Sequence, residues 1–495
     1  MKILFFGKGQ EMLSIEYLSA ALKNAGHKVE LLFDPGFDDN IGFINIPLLK
    51  KLFSEKMVIE NIKKMSPDLI AFSCPWHLYP FVAETASLVK KRFNIPIVVG
   101  GGYPTIAPDH MIKNKDIDMI CIGEGEEAIV ELADKIEKGV DYFDTLNFWF
   151  KRNGEIIKNP PRVLLQNLDL LPFPDREIFH KFGCFAGNLY FIAGRGCPHK
   201  CSYCCEHAFE RIYQGKGKYV RLRSVENVIE ELGECVKKYN VKHIHSEDDL
   251  FAISHKWLAE FCEEYRKKIK VPFYCHVRPG SLTDEDLENL KSAGCNDIYF
   301  GIDAGNYEVR TNLLNRKIKD ETIYEQVKLV KKHGMRLSTS VMFGIPGETP
   351  EQMHETFKMI KEIGSYCVYV TVYYPFYNTE LYNYAVEKGY LMQESIESVM
   401  KGLGSVYRAS FLENENNDLV LIFRNILPAY MRFSFLRPLI DLVIRKRFVG
   451  LSRLIDLFFT PFSYSTVGWF KVREAIKIFF VFMKIRFKNS FFKKY

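Results

Sequence analysis

Gly194-Arg195-Gly196-Cys197-Pro198-His199-Lys200-Cys201-Ser202-Tyr203-Cys204-Cys205 follows directly on a strand-like apolar run at 189–193. Cys197, Cys201 and Cys204 stand at Cys-x3-Cys-x2-Cys spacing, so one loop can wrap one inorganic centre. Three thiolates can hold three irons of a cubane and leave the fourth iron open, which four-cysteine electron carriers do not. A zinc knuckle is the alternative, with His199 and His207 as further donors, although no second ligand pair stands nearby at zinc-finger spacing. Cys205 falls outside the spacing and reads as a neighbour. The chain has 12 cysteines, and the apolar run after Met1 is too short for a signal-peptide core. A reducing, cytoplasmic setting is therefore expected, in which a tight cysteine cluster means metal or redox chemistry rather than disulfides.

Downstream of the loop, strand-like runs at 241–245, 272–277, 297–302, 336–343 and 367–373 alternate with helical segments beginning near Ser224, Ser254, Thr283, Asp320 and Pro350. With 189–193 this makes six β/α units, which predicts a partial parallel barrel with its site at the carboxyl ends of the strands. Those ends read Ser246-Glu247-Asp248-Asp249, His276-Val277-Arg278, Gly301-Ile302-Asp303-Ala304-Gly305 and Gly344-Ile345-Pro346-Gly347-Glu348-Thr349. The acidic triplet can hold an ammonium group or ribose hydroxyls, or can simply start a solvated helix.

Upstream, residues 1–140 alternate in the same way. Apolar runs at 2–6, 28–33, 68–73, 95–99 and 117–121 are separated by helix-period segments from Glu11, Pro47, Pro80 and Glu126. This predicts a doubly wound α/β domain with a small-molecule site beyond its strand ends, where Ser73-Cys74-Pro75 and Gly100-Gly101-Gly102 lie. Residues 141–187 are rich in proline breaks and read as an irregular connector, 188–400 as the barrel and 401–495 as a mostly helical region.

The cluster loop, with aromatic Tyr203 between its second and third cysteines, resembles that of the radical S-adenosylmethionine (SAM) superfamily. The strand ends resemble its cobalamin-binding branch, and the Ser73-x-Pro75 turn, Gly101–Thr105 stretch and Gly123-Glu124-Gly125-Glu126 look like a flavodoxin-like cobalamin domain. The resemblance implies that Cys197, Cys201 and Cys204 ligate a [4Fe–4S] cluster. It implies cofactor contacts at Tyr203, Glu247, Asp248, Arg278, Asp303, Gly344, Gly347 and Glu348 for SAM, and at Ser73, Gly101 and Gly102 for cobalamin. It names no catalytic side chain. Two departures stand out: Lys8-Gly9-Gln10-Glu11-Met12 replaces the usual Asp-x-His-x-x-Gly motif, and Asp303 stands where glutamate is usual. His77 is a lone histidine near the corrin side and reads as packing.

The implied activity is reductive cleavage of SAM to a 5′-deoxyadenosyl radical, with cobalamin as methyl carrier and methylation of an unactivated carbon of a hydrophobic substrate as outcome. Cyclisation, ring contraction or oxidation is the alternative within the enzyme class, and a non-catalytic cobalamin or iron–sulfur sensor the alternative outside it. Methylthio transfer fits less well, because the N-terminal half lacks a second cysteine triad. An electron donor such as flavodoxin or ferredoxin is implied.

Net charge is +6, yet residues 419–495 hold 15 Lys/Arg against 3 Asp/Glu, so the remainder is acidic. Apolar stretches in this tail are interrupted by charge and proline, which argues against a membrane span. At 473–488 basic and aromatic residues segregate as on an interfacial helix, pointing to peripheral membrane contact and a lipid-like substrate. Nucleic acid is not expected, since the basic residues interleave with aliphatic runs.

Overall fold

The computed structural model describes residues 1–36, 54–184, 187–404, 406, 410–413, 415–463, 477 and 480–481. The segment 473–488 thus lies almost wholly outside the described residues.

The first sheet has the order β2-β1-β3-β4-β5-β6-β7. Its parallel strands are β1 (Lys2–Lys8), β2 (Lys28–Asp34), β3 (Leu69–Ser73), β4 (Ile97–Gly100) and β5 (Met119–Cys121). These strands carry largely apolar runs because both faces are covered, with charge at their ends and at Glu30 of the outermost strand. Leu4, Phe6, Ile70 and Phe72 pack with the helices Glu55–Met65 and Tyr79–Lys90. Ile3, Phe5, Leu69 and Ala71 pack with Leu13–Asn24 and Glu126–Lys138 on the opposite side. Strand order reverses between β1 and β3, which opens a crevice at their carboxyl ends, where Ser73 lies.

The connector is not irregular throughout. β6 (Phe148–Arg152) and β7 (Glu155–Lys158) form an antiparallel hairpin that extends the first sheet. Its two-residue turn, Asn153-Gly154, has φ of 53° and 85°, the pair of left-handed conformations that a tight hairpin demands and that Asn-Gly supplies.

The second sheet is parallel, with the order β15-β14-β13-β12-β11-β8. Its strands are β8 (Asn188–Phe191), β11 (His243–Ser246), β12 (Phe273–Val277), β13 (Cys295–Asp303), β14 (Arg336–Phe343) and β15 (Cys367–Val372), and a short pair, β9 (Gly194–Arg195) with β10 (Arg221–Leu222), stands apart. Helices begin where the sequence marks them: Ser224, Ser254, Thr283 and Thr349 each accept a first-turn backbone N–H, and Thr283 and Thr349 complete capping boxes. The outer strand residues join these helices in one core. The helix Asn417–Arg432 packs along β15 and β14, continuing that core, and Arg437–Lys446 and Val449–Ser463 complete a helical C-terminal region. The first of these helices covers the outer face of β15 as the preceding helices cover the strands before it.

A buried charge cluster joins the two halves. Arg176, from the connector, pairs with Glu16 (2.6 Å) and Glu11 (3.3 Å) of the first domain and with Glu231 (2.7 Å) of the barrel helix Val225–Lys238, while Arg223 also holds Glu231 at 2.6 Å. Three carboxylates face two guanidiniums out of water, and burial pushes Glu16 up to about 7. The cluster therefore retains a proton near neutrality. Removing Arg176 strands the carboxylates, so Arg176→Met is expected to cost about 3–5 kcal/mol in denaturant unfolding at neutral pH. Glu16 titrates higher folded than unfolded, so its stabilising contribution is fullest at low pH and fades as pH rises through about 7. Without Arg176 this slope steepens, and the variant's deficit should shrink on acidification toward about pH 5; a deficit independent of pH would contradict the account.

Candidate functional site

The cysteine loop leaves the barrel after β8 and returns through β10, which pairs with β9 at Arg195–Arg221 and Gly194–Leu222. Its departure is fixed by Asp248, whose buried carboxylate accepts the N–H groups of Ala193 (2.8 Å) and Gly194 (2.7 Å) and the hydroxyl of Ser246 (2.6 Å). Burial pushes this carboxyl up to about 6 despite those donors. Asp248 is thus occupied within the chain, whereas its neighbour Glu247 is exposed at the same strand end. Gly196 has φ 84°, and a Cβ there would meet the Tyr219 carbonyl oxygen at 2.7 Å, so the loop can pass only as glycine.

Cys201 is buried and Cys197 and Cys204 are half-buried; all three are free thiols. Their sulfurs are not gathered within 4.8 Å of one another, the convergence a single ion requires, and among the described residues His27, Asp134 and Glu137 make the one set that is. Three free thiols on one loop supply the donor set that a cluster with one open iron takes. Cys205 opens the helix Cys205–Ile212 and packs with Phe209 and Ile212 against the first domain.

Two guanidiniums face the Cys201 sulfur: Arg278 at 3.7 Å and Arg316 at 3.9 Å. Positive charge there suits the anionic centre the loop would carry. Burial, with Asp249, Cys201 and Glu206 adding to it, pushes Cys197 up to about 11. Arg316 also pairs with Asp303 at 3.1 Å, and Tyr203 donates to the same carboxylate oxygen at 2.7 Å. Asp303 sits at φ 66°, just past a register shift in β13. That conformation is costly for a non-glycine residue and is held by these contacts. Arg316 is absent from the sequence reading; a single arginine in a polar loop offers no periodicity or motif to find it by.

Across the barrel mouth, Gly344 (φ 73°) and Gly347 (φ 83°) shape the turn after β14. Glu348 folds back on it, and its Oε2 accepts from the N–H groups of Gly344 (2.9 Å) and Ile345 (3.2 Å). Its Oε1 is buried without a hydrogen-bond partner, and burial pushes the carboxyl up to about 8. An orphaned oxygen of this kind fits a donor from a bound cofactor.

On the first domain, Ser73 ends β3 with its hydroxyl 2.8 Å from that of Ser14. Gly101 has φ 101°, and a Cβ there would come within 2.9 Å of the Cys74 backbone nitrogen. Together with Gly102 it leaves the bare cradle that close approach of a large ligand needs. The cluster-loop helix lies against this edge: Phe209 approaches Gly102, and the Tyr213 hydroxyl accepts the Glu124 N–H at 2.6 Å. Glu126 pairs with Arg195 (2.5 Å), and Glu124 pairs with Arg195 (3.3 Å) and Arg221. Two sets of strand ends are thus locked face to face. His77 is exposed, while Trp76 stacks on Tyr103 and donates to the Val399 carbonyl.

Residues 191–360 match the Radical SAM superfamily, and residues 10–133 match the B12 binding domain family. The chain is 26% identical over 402 residues to an uncharacterized methyltransferase of Pyrococcus horikoshii, covering 79% of this chain and 83% of that one. It is 26% identical to the anaerobic magnesium-protoporphyrin IX monomethyl ester cyclase of Rubrivivax gelatinosus, over 70% of this chain and 61% of the cyclase. Among solved structures, it shares its fold with the radical SAM methyltransferase TsrM of Kitasatospora setae with cobalamin and a [4Fe–4S] cluster bound, at TM-score 0.63 and 17% identity, covering 78% of this chain and 75% of TsrM.

Glu348 titrates higher folded (about 8) than unfolded (4.5), so its contribution to stability is present below the unfolded value and lost as pH rises through about 8. Glu348→Gln keeps an acceptor for the two N–H groups and carries no charge. The variant is expected to be more stable than wild type by about 1–3 kcal/mol at about pH 8.5 and indistinguishable at about pH 5 in thermal melts. Parallel profiles would show that the carboxyl is not buried as described.

Proposed function

We propose that this chain, which carries both a radical SAM domain and a B12-binding domain, is a cobalamin-dependent radical SAM methyltransferase acting on an unactivated carbon of a small hydrophobic molecule. The observation that carries the reading is the placement of Cys201, with two guanidiniums on its sulfur, at the mouth of a half barrel that faces the strand ends of the B12-binding domain. Cys197, Cys201 and Cys204 would hold the cluster, and Ser73, Gly101 and Gly102 would cradle cobalamin. When bound, these groups and SAM supply a carbon-centred radical and a transferable methyl group.

The chain's own residues do the rest. Arg278 and Arg316 offset the negative charge of the cluster loop, and Asp303 fixes Arg316 and Tyr203 in place. Asp248 sets the angle at which the loop leaves β8, and is a positioning residue rather than a contact. Glu247, Gly344, Gly347 and the free oxygen of Glu348 form the rim that would contact SAM. Arg195, Arg221, Glu124 and Glu126 hold the two domains closed over the mouth and restrict water there. The half-buried Cys197 and Cys204 leave a route for a flavodoxin- or ferredoxin-like donor.

Similarity to the ester cyclase keeps cyclisation or oxidation as a second reading, and product mass separates the two, since methylation alone adds one CH2. Reconstituted wild type, reduced in the presence of SAM, is expected to form 5′-deoxyadenosine, and Cys201→Ala to form none detectable by mass spectrometry. A wild type that binds the cluster and cobalamin yet never cleaves SAM would instead indicate a sensor.

No helix among the described residues is long and apolar enough to cross a membrane. The C-terminal helices nevertheless expose apolar side chains: Leu439 and Leu442 on one, with Phe435 in the turn before it, and Leu454, Leu457 and Phe458 on the next, with Phe435, Leu457 and Phe458 at 69%, 65% and 62% exposure. Arg445, Lys446 and Arg453 are exposed beside them. Such a face suits a peripheral contact with anionic lipid. Full-length protein should co-sediment with anionic vesicles, less so with neutral ones, and Leu457→Glu/Phe458→Glu should lower binding at least tenfold; unchanged binding would remove this face from the reading.

A further inference from the structure

The concave face of the half barrel carries a feature that the cofactor chemistry leaves unused. Along β12 to β15 the outward residues are buried, whereas Tyr274, His276, Tyr299, Ser340, Tyr369 and Thr371 alternate with them as half-exposed positions. These side chains therefore point to the inside of the barrel, opposite the core that the helices cover. Rings from four adjacent strands and the distal strand β15 form a continuous band: Tyr190–His245 (5.0 Å between centroids), His245–Tyr274 (4.2 Å), Tyr274–His276 (5.6 Å), His276–Tyr299 (4.6 Å) and Tyr299–Tyr369 (5.4 Å), inclined at 40–73° to one another. Inclined rings offer both faces and edges to an occupant.

The band contains no carboxylate, lysine or arginine. Burial pushes the His276 imidazole down to about 4, so it is neutral. Charged side chains stand below it, in the Asp297–Arg336 pair, and above it, at Glu247, Arg278, Asp303 and Arg316. His276 and Tyr299 lie two residues below Arg278 and Gly301 on their strands. At strand rise this puts His276 on the order of 7 Å beneath Arg278, which faces Cys201. No carboxylate or amide stands among these positions to take the many hydroxyls of a sugar, and no leucine, isoleucine or valine to wall an aliphatic chain. The band offers phenol and imidazole instead.

We infer that this aromatic band is the recognition surface for the reacting part of the substrate, and that this part is a flat, uncharged, unsaturated ring. The assignment rests on the proposed function for what happens to the ring, but not for its binding. Full-length protein is titrated with 2-naphthol by fluorescence, with decahydro-2-naphthol as the saturated counterpart of equal size and methyl glucoside as a sugar probe. Saturable naphthol binding is expected, at least about tenfold tighter than the saturated ring, with Tyr274→Leu and Tyr299→Leu each weakening it about tenfold and Tyr274→Phe restoring it to near wild type. Equal affinity for the saturated ring, displacement by the glucoside, indifference to both leucine variants or no saturable binding would each overturn the assignment. Failure of the proposed function reads differently: naphthol binds as expected, yet reconstituted wild type yields no 5′-deoxyadenosine.

Discussion

Everything in this molecule depends on arginine–carboxylate pairs that hold two sheets with their carboxyl ends opposed. Either sheet alone ends in loops open to water, and their apposition sets the Gly101–Gly102 turn against the helix that follows the cluster loop. Arg176 supplies the deepest link, joining Glu11 and Glu16 of one domain to Glu231 of the other, and Arg195 and Arg221 repeat the device nearer the mouth. A buried ion pair is seldom a strong source of stability, because desolvation offsets much of its attraction. It does penalise any docking angle that leaves one partner bare. Here that penalty defines the relative placement of the two domains, a geometric need of any group transfer between sites on different domains.

The same economy of charge governs the cluster loop. Burial pushes the Cys197 and Cys204 thiols up. Arg278 and Arg316 place positive charge beside the Cys201 sulfur, and Asp303 keeps Arg316 aimed while returning part of the negative charge. Asp303 therefore serves through Arg316 and Tyr203. A glutamate at this point would carry its carboxylate farther from the backbone, and the left-handed conformation at Asp303 suits the shorter side chain.

Alternating apolar runs made the layered α/β architecture and the six-stranded half barrel readable from the sequence, since period and length distinguish strand from helix without any knowledge of contacts. The cysteine spacing and the glycine-rich turns were readable because their chemistry is local. The β6–β7 hairpin was also within reach through its Asn-Gly turn, but the prolines around it drew the segment toward an irregular reading. Other features were out of reach in principle. Arg316 gains meaning only from a sulfur 115 positions away. Asp248 looked like a ligand in an acidic triplet, yet its carboxylate is taken by backbone N–H groups 54 and 55 positions distant. Pairings of this separation leave no periodic trace, and residue type alone cannot tell a carboxylate that binds a cofactor from one that braces a loop.

The aromatic band and the apolar side chains exposed in the C-terminal region make different demands on one substrate, and together they narrow it. A molecule that only dissolved in lipid would need no tilted rings between two charged layers. A free aromatic metabolite would need no apolar face on the outside of the protein. If both proposals hold, an amphiphile with a flat unsaturated head and an aliphatic tail satisfies them, the band taking the head and the lipid surface proposed to touch Phe435, Leu457 and Phe458 retaining the tail. Binding energy from a tail that takes no part in the chemistry can then hold the head in register with the reacting groups, which is how remote contacts contribute to rate.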